Sequence, residues 1–198
     1  PERYIKKEGN KIITQPIKGT AKRGKTEEED EQIKLELSQN EKERSENIMI
    51  VDLVRNDLSK TAVKATVKVE ELCKVYSFDT VHQMISTVTS EIGTATHPVE
   101  VLRTTFPMGS MTGAPKVEAM KIIEEVETTK RGVYSGGIGY FKPNQDFDFN
   151  VVIRSLLYNE ETKYLNFMVG GAITNKANAE DEYNETLLKA EAMIGSVK

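Results

Sequence analysis

This sequence has one cysteine in 198 residues. With Cys73 alone, an intramolecular disulfide and a cysteine-based zinc cluster are both excluded, and a reducing, cytoplasmic setting is expected. Long apolar runs are also missing. Ile48 to Leu53 and Val151 to Leu157 are broken by Asp52 and Arg154 and fall well short of the ~20 residues a membrane span needs. No charge of one sign dominates: 27 Lys+Arg stand against 31 Asp+Glu, and a net charge of -4 gives no field for nucleic acid or an anionic membrane. The start, Pro1-Glu2-Arg3-Tyr4, lacks the apolar stretch of a signal peptide and an initiator Met, and reads as a chain cut from something longer. What is present suffices for a core, since a chain of this mass buries roughly 70% of its extended surface on folding.

The order of patterns predicts one α+β unit with no internal repeat or low-complexity linker. Asn10 to Ile17 is β-compatible, and Gly19 to Arg23 reads as a polar loop. Thr26 to Asn40 is nearly all charge, a solvated helix with an acidic start. Lys42 to Asp57 has apolar residues at helical spacing and no Gly or Pro, with Glu43, Glu46, Ile50 and Asp57 on one side. Thr61 to Phe78 predicts a half-buried strand, because Val63, Ala65, Val67 and Val69 alternate with polar residues; Val81 to Val88 predicts another. Pro115 opens a helix through Val117, Met120 and Ile123. Val133 to Phe141, Phe147 to Tyr158 and Tyr164 to Ile173 predict an antiparallel meander, and Ala179 to Ile194 a closing helix.

Several residues invite chemistry. Glu43 and Glu46 lie three apart on one predicted helix, and Glu182 and Glu185 on another beside Lys189. Such pairs are common on solvated faces. If the two faces converge, they form an all-oxygen site of the kind Mg²⁺ takes. Met108-Gly109-Ser110-Met111-Thr112-Gly113 leads into a helix N-terminus, where free N–H groups favour anions, but it lacks the ending of a Walker A loop. Gly170 and Gly171 close a strand, either for tight packing or to bring backbone N–H groups to a ligand. Arg154, on the strand face of Asn150 and Val152, is a solvent residue at an edge or a cation aimed into a cleft. Lys18 becomes a nucleophile if shielded from water. His82 reads as a packed histidine, and His97, before Pro98, as loop surface.

Taken in order, a set of segments resembles the chorismate-utilising enzymes. They are Pro1-Glu2-Arg3-Tyr4, Pro16-Ile17-Lys18-Gly19-Thr20, Glu46-Asn47-Ile48-Met49-Ile50-Val51-Asp52-Leu53-Val54-Arg55-Asn56-Asp57-Leu58, Phe106 through Lys116, Tyr134 through Phe141, Gly170-Gly171-Ala172-Ile173 and Glu182-Tyr183-Asn184-Glu185-Thr186. The resemblance implies the anthranilate-synthase-component-I-like α+β fold, with antiparallel sheets packed together and helices outside. It also implies that residues 1–198 are the C-terminal part of a chorismate-binding catalytic domain whose N-terminal half lies elsewhere.

Roles follow from the same resemblance. Glu43, Glu46, Glu182 and Glu185 would be direct or water-mediated Mg²⁺ ligands, the metal holding the ring carboxylate of chorismate. Arg154 and Tyr140 would bind the enolpyruvyl carboxylate, helped by backbone near Gly170 and Gly171. Ser110 and Lys116 would line the site, and His82 would lie beside the reacting ring. Lys18 marks the branch that makes 4-amino-4-deoxychorismate for 4-aminobenzoate and folate, because the anthranilate branch has Ala there. In that branch the lysine adds to C2 as the C4 hydroxyl leaves, Glu2 assists as acid or base, and ammonia from a glutamine amidotransferase partner attacks C4. Asn47, where the anthranilate branch often has His, agrees with this branch, while Ser90 replaces a usual Gly. The rivals are anthranilate synthesis, a lysine-using isochorismate or salicylate synthase, and a binding or scaffold module without turnover.

Overall fold

The computed structural model describes residues 2–174 and 177–197. Gly9, at φ 58°, turns β1 (Arg3–Glu8) into β2 (Lys11–Gln15) through a two-residue loop, the left-handed backbone a tight hairpin needs. Pro16 interrupts the ladder, and β3 (Ile17–Lys22) carries on along the same partner. β2 and β3 together line one edge of β5 (Val81–Glu91), and β4 (Lys68–Ser77) takes the other. On the far side β1 pairs with β7 (Phe147–Val151), and β7 with β6 (Gly137–Phe141). Seven strands thus form one antiparallel sheet, and β8 (Leu157–Asn159) and β9 (Tyr164–Asn166) form a separate hairpin.

The helices begin where side chains can accept from free N–H groups. Thr26 caps α1 (Glu27–Gln39), and Asn40 caps α2 (Glu41–Ser59). α1 and α2 lie against β3, β4 and β5. α2 buries Asn47, Ile50, Val51, Val54 and Leu58 at helical spacing. Those apolar groups meet Ile12, Val88, Phe147 and Val151 from the sheet, with Val101 and Met108 closing the cluster. Each such side chain stabilises the fold by roughly 1.5–3 kcal/mol. α3 (Pro98–Thr105) is tied to β1 by the Tyr4 and Thr105 hydroxyls, 2.7 Å apart. A short 3₁₀ turn, Gly109–Met111, leads to α4 (Lys116–Val126), and α5 (Ala179–Ser196) ends the chain behind an Asn178 cap.

The α+β class with antiparallel sheet holds, as do both central helices and the last. Several boundaries differ. The stretch 61–67 is not strand: Ala65 has φ 65° and Thr66 N–H bonds to the Val63 carbonyl, so the alternation that predicted a strand belongs to a turn. Gly19 to Lys22 is strand rather than loop, because β5 offers it a partner. The long strand expected through Tyr158 ends at Val151, and Arg154 stands at φ 53°, off any strand. Only Tyr164–Asn166 of the next run pairs, so Gly170 and Gly171 close no strand. β1 and α3 were not anticipated; His97, read as loop surface, is the α3 cap, its Nδ1 accepting from Val99 N–H at 3.2 Å.

One buried ion pair locks the end of α2 to the chain after α3. Asp57 is 4% exposed and accepts from Lys116 and, at 2.8 Å, from Lys60. The Lys116 ammonium also donates to the carbonyls of Thr105 at 3.0 Å and Pro107 at 2.6 Å. Burial pulls the Lys116 pKa down, and Asp57 partly restores it. Asp57→Ala strands that ammonium and should cost about 3–5 kcal/mol in urea unfolding. A loss below about 1 kcal/mol, the scale of an exposed pair, would refute the assignment.

Candidate active site

Lys18 stands on β3 where the strand bulges against β5. The next residue, Gly19, has φ 94°, and a Cβ there would lie 3.3 Å from Glu43 Oε2 and 3.2 Å from Met84 Cβ. The missing side chain leaves the room that Glu43 occupies. Lys18 is within electrostatic reach of Glu2, Glu43 and Glu185.

The first turns of α2 and the face of α5 do converge. Lys42 Nζ donates to Glu182 Oε1 at 3.0 Å, bridging the helices. Burial raises the Glu43 pKa, and the neighbouring Glu46 and Glu185 carboxylates push the same way. Glu182 is 6% exposed, and a Cβ on Gly171 would come within 3.0 Å of its Oε2. Burial also works on Glu185, but the Lys189 ammonium, 2.6 Å away, outweighs it and holds that carboxyl below its usual range. Lys189 reaches the Gly170 carbonyl at 3.0 Å as well, so Gly170 and Gly171 pack on α5. A Cβ on Gly170 would meet the Tyr134 hydroxyl at 2.9 Å.

These four glutamates suit a hard cation in chemistry. Glu46 Oε1 is buried with no hydrogen-bond partner among the described residues, and a buried carboxylate oxygen left so is costly. The bare Cα atoms of Gly19 and Gly171 keep space beside Glu43 and Glu182. Yet among the described residues no three acidic, histidine or cysteine groups stand as a ready cluster, and Glu182 and Glu185 are paired with Lys42 and Lys189.

Beside Lys18, Glu2 is buried, and burial drives its pKa from 4.5 to about 7 against the pull of Ser110 and Lys18. The Ser110 hydroxyl is itself buried and lies near enough to Glu2 to favour its charged form, but it makes no hydrogen bond of good geometry to any described residue. Glu2, Ser110, Thr14 and Asp57 line a cavity of ≈ 20 Å³, room for one water.

The other expected residues sit differently. Lys116 does not present a free ammonium, since Asp57 and two carbonyls take it. His82 is fully buried with both ring nitrogens engaged, Nδ1 by Ser77 Oγ and Nε2 by Asp30, each at 2.9 Å. Asp30 is in turn held by Arg23 at 2.7 Å. Tyr140 lies on β6, 56% exposed, over an open groove with Arg3 and Asp148. Arg154 is exposed, and its charge reaches Tyr134. Lys42 and Tyr134 went unremarked in the sequence, although Lys42 sits four residues before Glu46 and Tyr134 begins a quoted segment.

The fold is thus an antiparallel α+β domain that sets a lysine within electrostatic reach of Glu2, Glu43 and Glu185. The chain belongs to the chorismate-binding enzyme family, whose model matches residues 1–195. It is 47% identical, over 97% of its length, to a probable chloroplastic aminodeoxychorismate synthase of Oryza sativa subsp. japonica, and covers 21% of that protein. It is 43% identical, over 98% of its length, to aminodeoxychorismate synthase component 1 of Bacillus subtilis (strain 168), covering 41% of it. The crystal structure of anthranilate synthase component I from Streptococcus pneumoniae TIGR4 superposes with a TM-score of 0.80 at 33% identity, over 98% of this chain and 42% of that one. The chain therefore spans well under half of these relatives. Among the described residues no helix is long and apolar enough to cross a membrane.

Because the folded pKa of Glu2 lies above its ordinary value, the native state keeps a proton that the unfolded chain has lost between pH 4.5 and about 7. Stability then falls as pH rises through that window, by up to about 3 kcal/mol, and levels off above it. Glu2→Gln should flatten the decline in urea midpoint from pH 5 to pH 7. A variant that tracks the parent across that range would show that Glu2 does not titrate there.

Proposed function

We propose that this chain forms the C-terminal part of a catalytic domain that makes 4-amino-4-deoxychorismate from chorismate and ammonia. The observation that carries the reading is Lys18, placed at a strand bulge among Glu2, Glu43 and Glu185. An amine on C2 blocks that carbon and directs a second nucleophile to C4. In the first step the Lys18 nitrogen, once its ammonium has released a proton, forms a bond to C2, both ring double bonds shift (C1=C2 to C1=C6 and C5=C6 to C4=C5), and the C4–O bond breaks. Glu2, with a pKa of about 7, is matched to give the departing hydroxyl its proton, so that it leaves as water. In the second step ammonia bonds to C4, both double bonds shift back to C5=C6 and C1=C2, and the Lys18 nitrogen, having taken up a proton, leaves C2 as a neutral amine.

Glu43, Glu46, Glu182 and Glu185 would hold Mg²⁺, which when bound neutralises and orients a substrate carboxylate. Arg154 and Tyr140 would meet the second carboxylate, with backbone N–H groups at Gly170 and Gly171 beside them. Ser110 would hydrogen-bond near Glu2. His82, engaged at both nitrogens, would shape the wall by the ring, and Lys116 would hold the loop that carries Ser110. The names of the relatives support amination at C4, and a glutamine amidotransferase would be the ammonia source. A reducing compartment fits both a cytoplasmic enzyme and the chloroplast in the rice relative's name.

The test is mass spectrometry of the products that the intact protein forms from chorismate, Mg²⁺ and ammonium. 4-Amino-4-deoxychorismate is expected, and Lys18→Ala should abolish it while chorismate still binds in the presence of Mg²⁺. Anthranilate or isochorismate as product would overturn the reading, as would unchanged amination in Lys18→Ala. For the metal, Glu46→Gln and Glu185→Gln should each weaken Mg²⁺ binding at least about tenfold by calorimetry. Parental titration curves for both would remove the carboxylate site.

A further inference from the structure

β5 is irregular on both edges at one place. On the first edge Ile17 pairs with Ile85 and Thr20 with Gln83, so Lys18 and Gly19 stand against Met84 alone. On the second, Glu71 pairs with Thr87 and Lys74 with Ile85, so Leu72 and Cys73 stand against Ser86 alone. Gly19 and Cys73 take the positive φ values, 94° and 52°, that let the extra residue bulge out. A bulge leaves ladder groups unpaired and re-aims the side chains beside it.

One side chain serves both bulges. Asn47, 0% exposed, points from α2 into the sheet. Its Nδ2 donates to the Met84 carbonyl at 3.3 Å and, in a longer contact, to the Lys18 carbonyl at 3.5 Å. Those carbonyls lie on opposite strands of the first bulge. Its Oδ1 accepts from the Ser86 hydroxyl and from Cys73 Sγ, and Ser86 Oγ accepts the Cys73 N–H at 2.9 Å across the second bulge. Asn47 thus uses both ends of its amide within the sheet. Its place is one residue after Glu46 and one helical turn after Glu43.

We infer that Asn47 is a positioning residue for Lys18, its amide clamping the bulge that aims the lysine at Glu2 and Glu43. The inference rests on Lys18 being the nucleophile. Side chains alternate along a strand, so removing the extra residue from the pairing would turn Lys18 to the other face. Without Nδ2, the buried Met84 carbonyl and the part-buried Lys18 carbonyl lose this donor, and the penalty favours a shift of β3 along β5. Misplacing a reacting group by an ångström lowers the rate far more than it lowers ground-state binding.

The test measures kcat and KM for C4 amination in Asn47→Ala, Asn47→Ser and Lys18→Ala versions of the intact protein, with folding checked by circular dichroism. Asn47→Ala should lower kcat about 10²-fold and leave KM for chorismate within about threefold. Asn47→Ser, whose hydroxyl lies one bond nearer the backbone and reaches neither carbonyl, should lose kcat as alanine does. If the alanine variant does not fold, the serine variant decides on the same split. A folded variant with parental kcat, or with its whole loss in KM, overturns the clamp. Amination that survives in Lys18→Ala overturns the nucleophile and the clamp together; loss in Lys18→Ala beside full activity in Asn47→Ala overturns the clamp alone.

Discussion

A buried strand with bulges on both edges must find donors and acceptors for the groups its neighbours no longer meet, and β5 is such a strand. Met84 and Ser86 lie in its middle at 0% and 0% exposure, where water cannot make up the deficit. The helix laid across the sheet therefore carries a polar residue at its most buried position. Asn47 spares α2 from being purely apolar on its inner face, and the apolar residues that follow it, Ile50, Val51, Val54 and Leu58, fix the helix at the height where the amide reaches both bulges. Packing sets the register, and the register makes the hydrogen bonds possible.

The same register sets the site. A helix turns once in 3.6 residues, so holding Asn47 inward puts Glu43 and Glu46 near the bulge and Asp57 at the far end of the buried face. Asp57 then anchors Lys116 and the loop that brings Ser110 to Glu2. One helix thus determines the placement of Lys18 through Asn47, of two glutamates directly, and of Ser110 at one remove. Substitutions on its inner face should be expected to disturb several of these together, which is why the amide and the ion pair need separate readouts.

Much of this was legible in the residues. α2 and α5 could be read because apolar positions repeat at helical spacing over more than three turns, and the paired glutamates could be read because they lie three apart. The bulges could not: a strand with an extra residue has no periodic signature, and Gly19 looked like the start of a loop because glycine and polar residues cluster there. The run Val63 to Val69 failed in the opposite sense, since alternation marks a strand only where a partner edge is available, and Ala65 turns the chain before it meets one. Arg154 was placed on a strand by the apolar residues around it, while the chain bonds instead to Gly136 and leaves the sheet. His82 as a packed, hydrogen-bonded residue was legible; its partners Ser77 and Asp30, 5 and 52 positions away, were not.

Charge decides how such a site can exist before any ligand enters. Four carboxylates gathered from two helices repel one another, and burial of Glu43 and Glu182 adds a desolvation cost. Lys42 and Lys189 offset this by pairing with Glu182 and Glu185, and Lys18 lends its charge to Glu2, Glu43 and Glu185. Of these four glutamates, Glu46 keeps a buried oxygen with no hydrogen-bond partner among the described residues. Without the Lys42 and Lys189 ammoniums the carboxylates would face one another with little to offset their repulsion, so the two ion pairs favour the packing of α5 beside the first turns of α2.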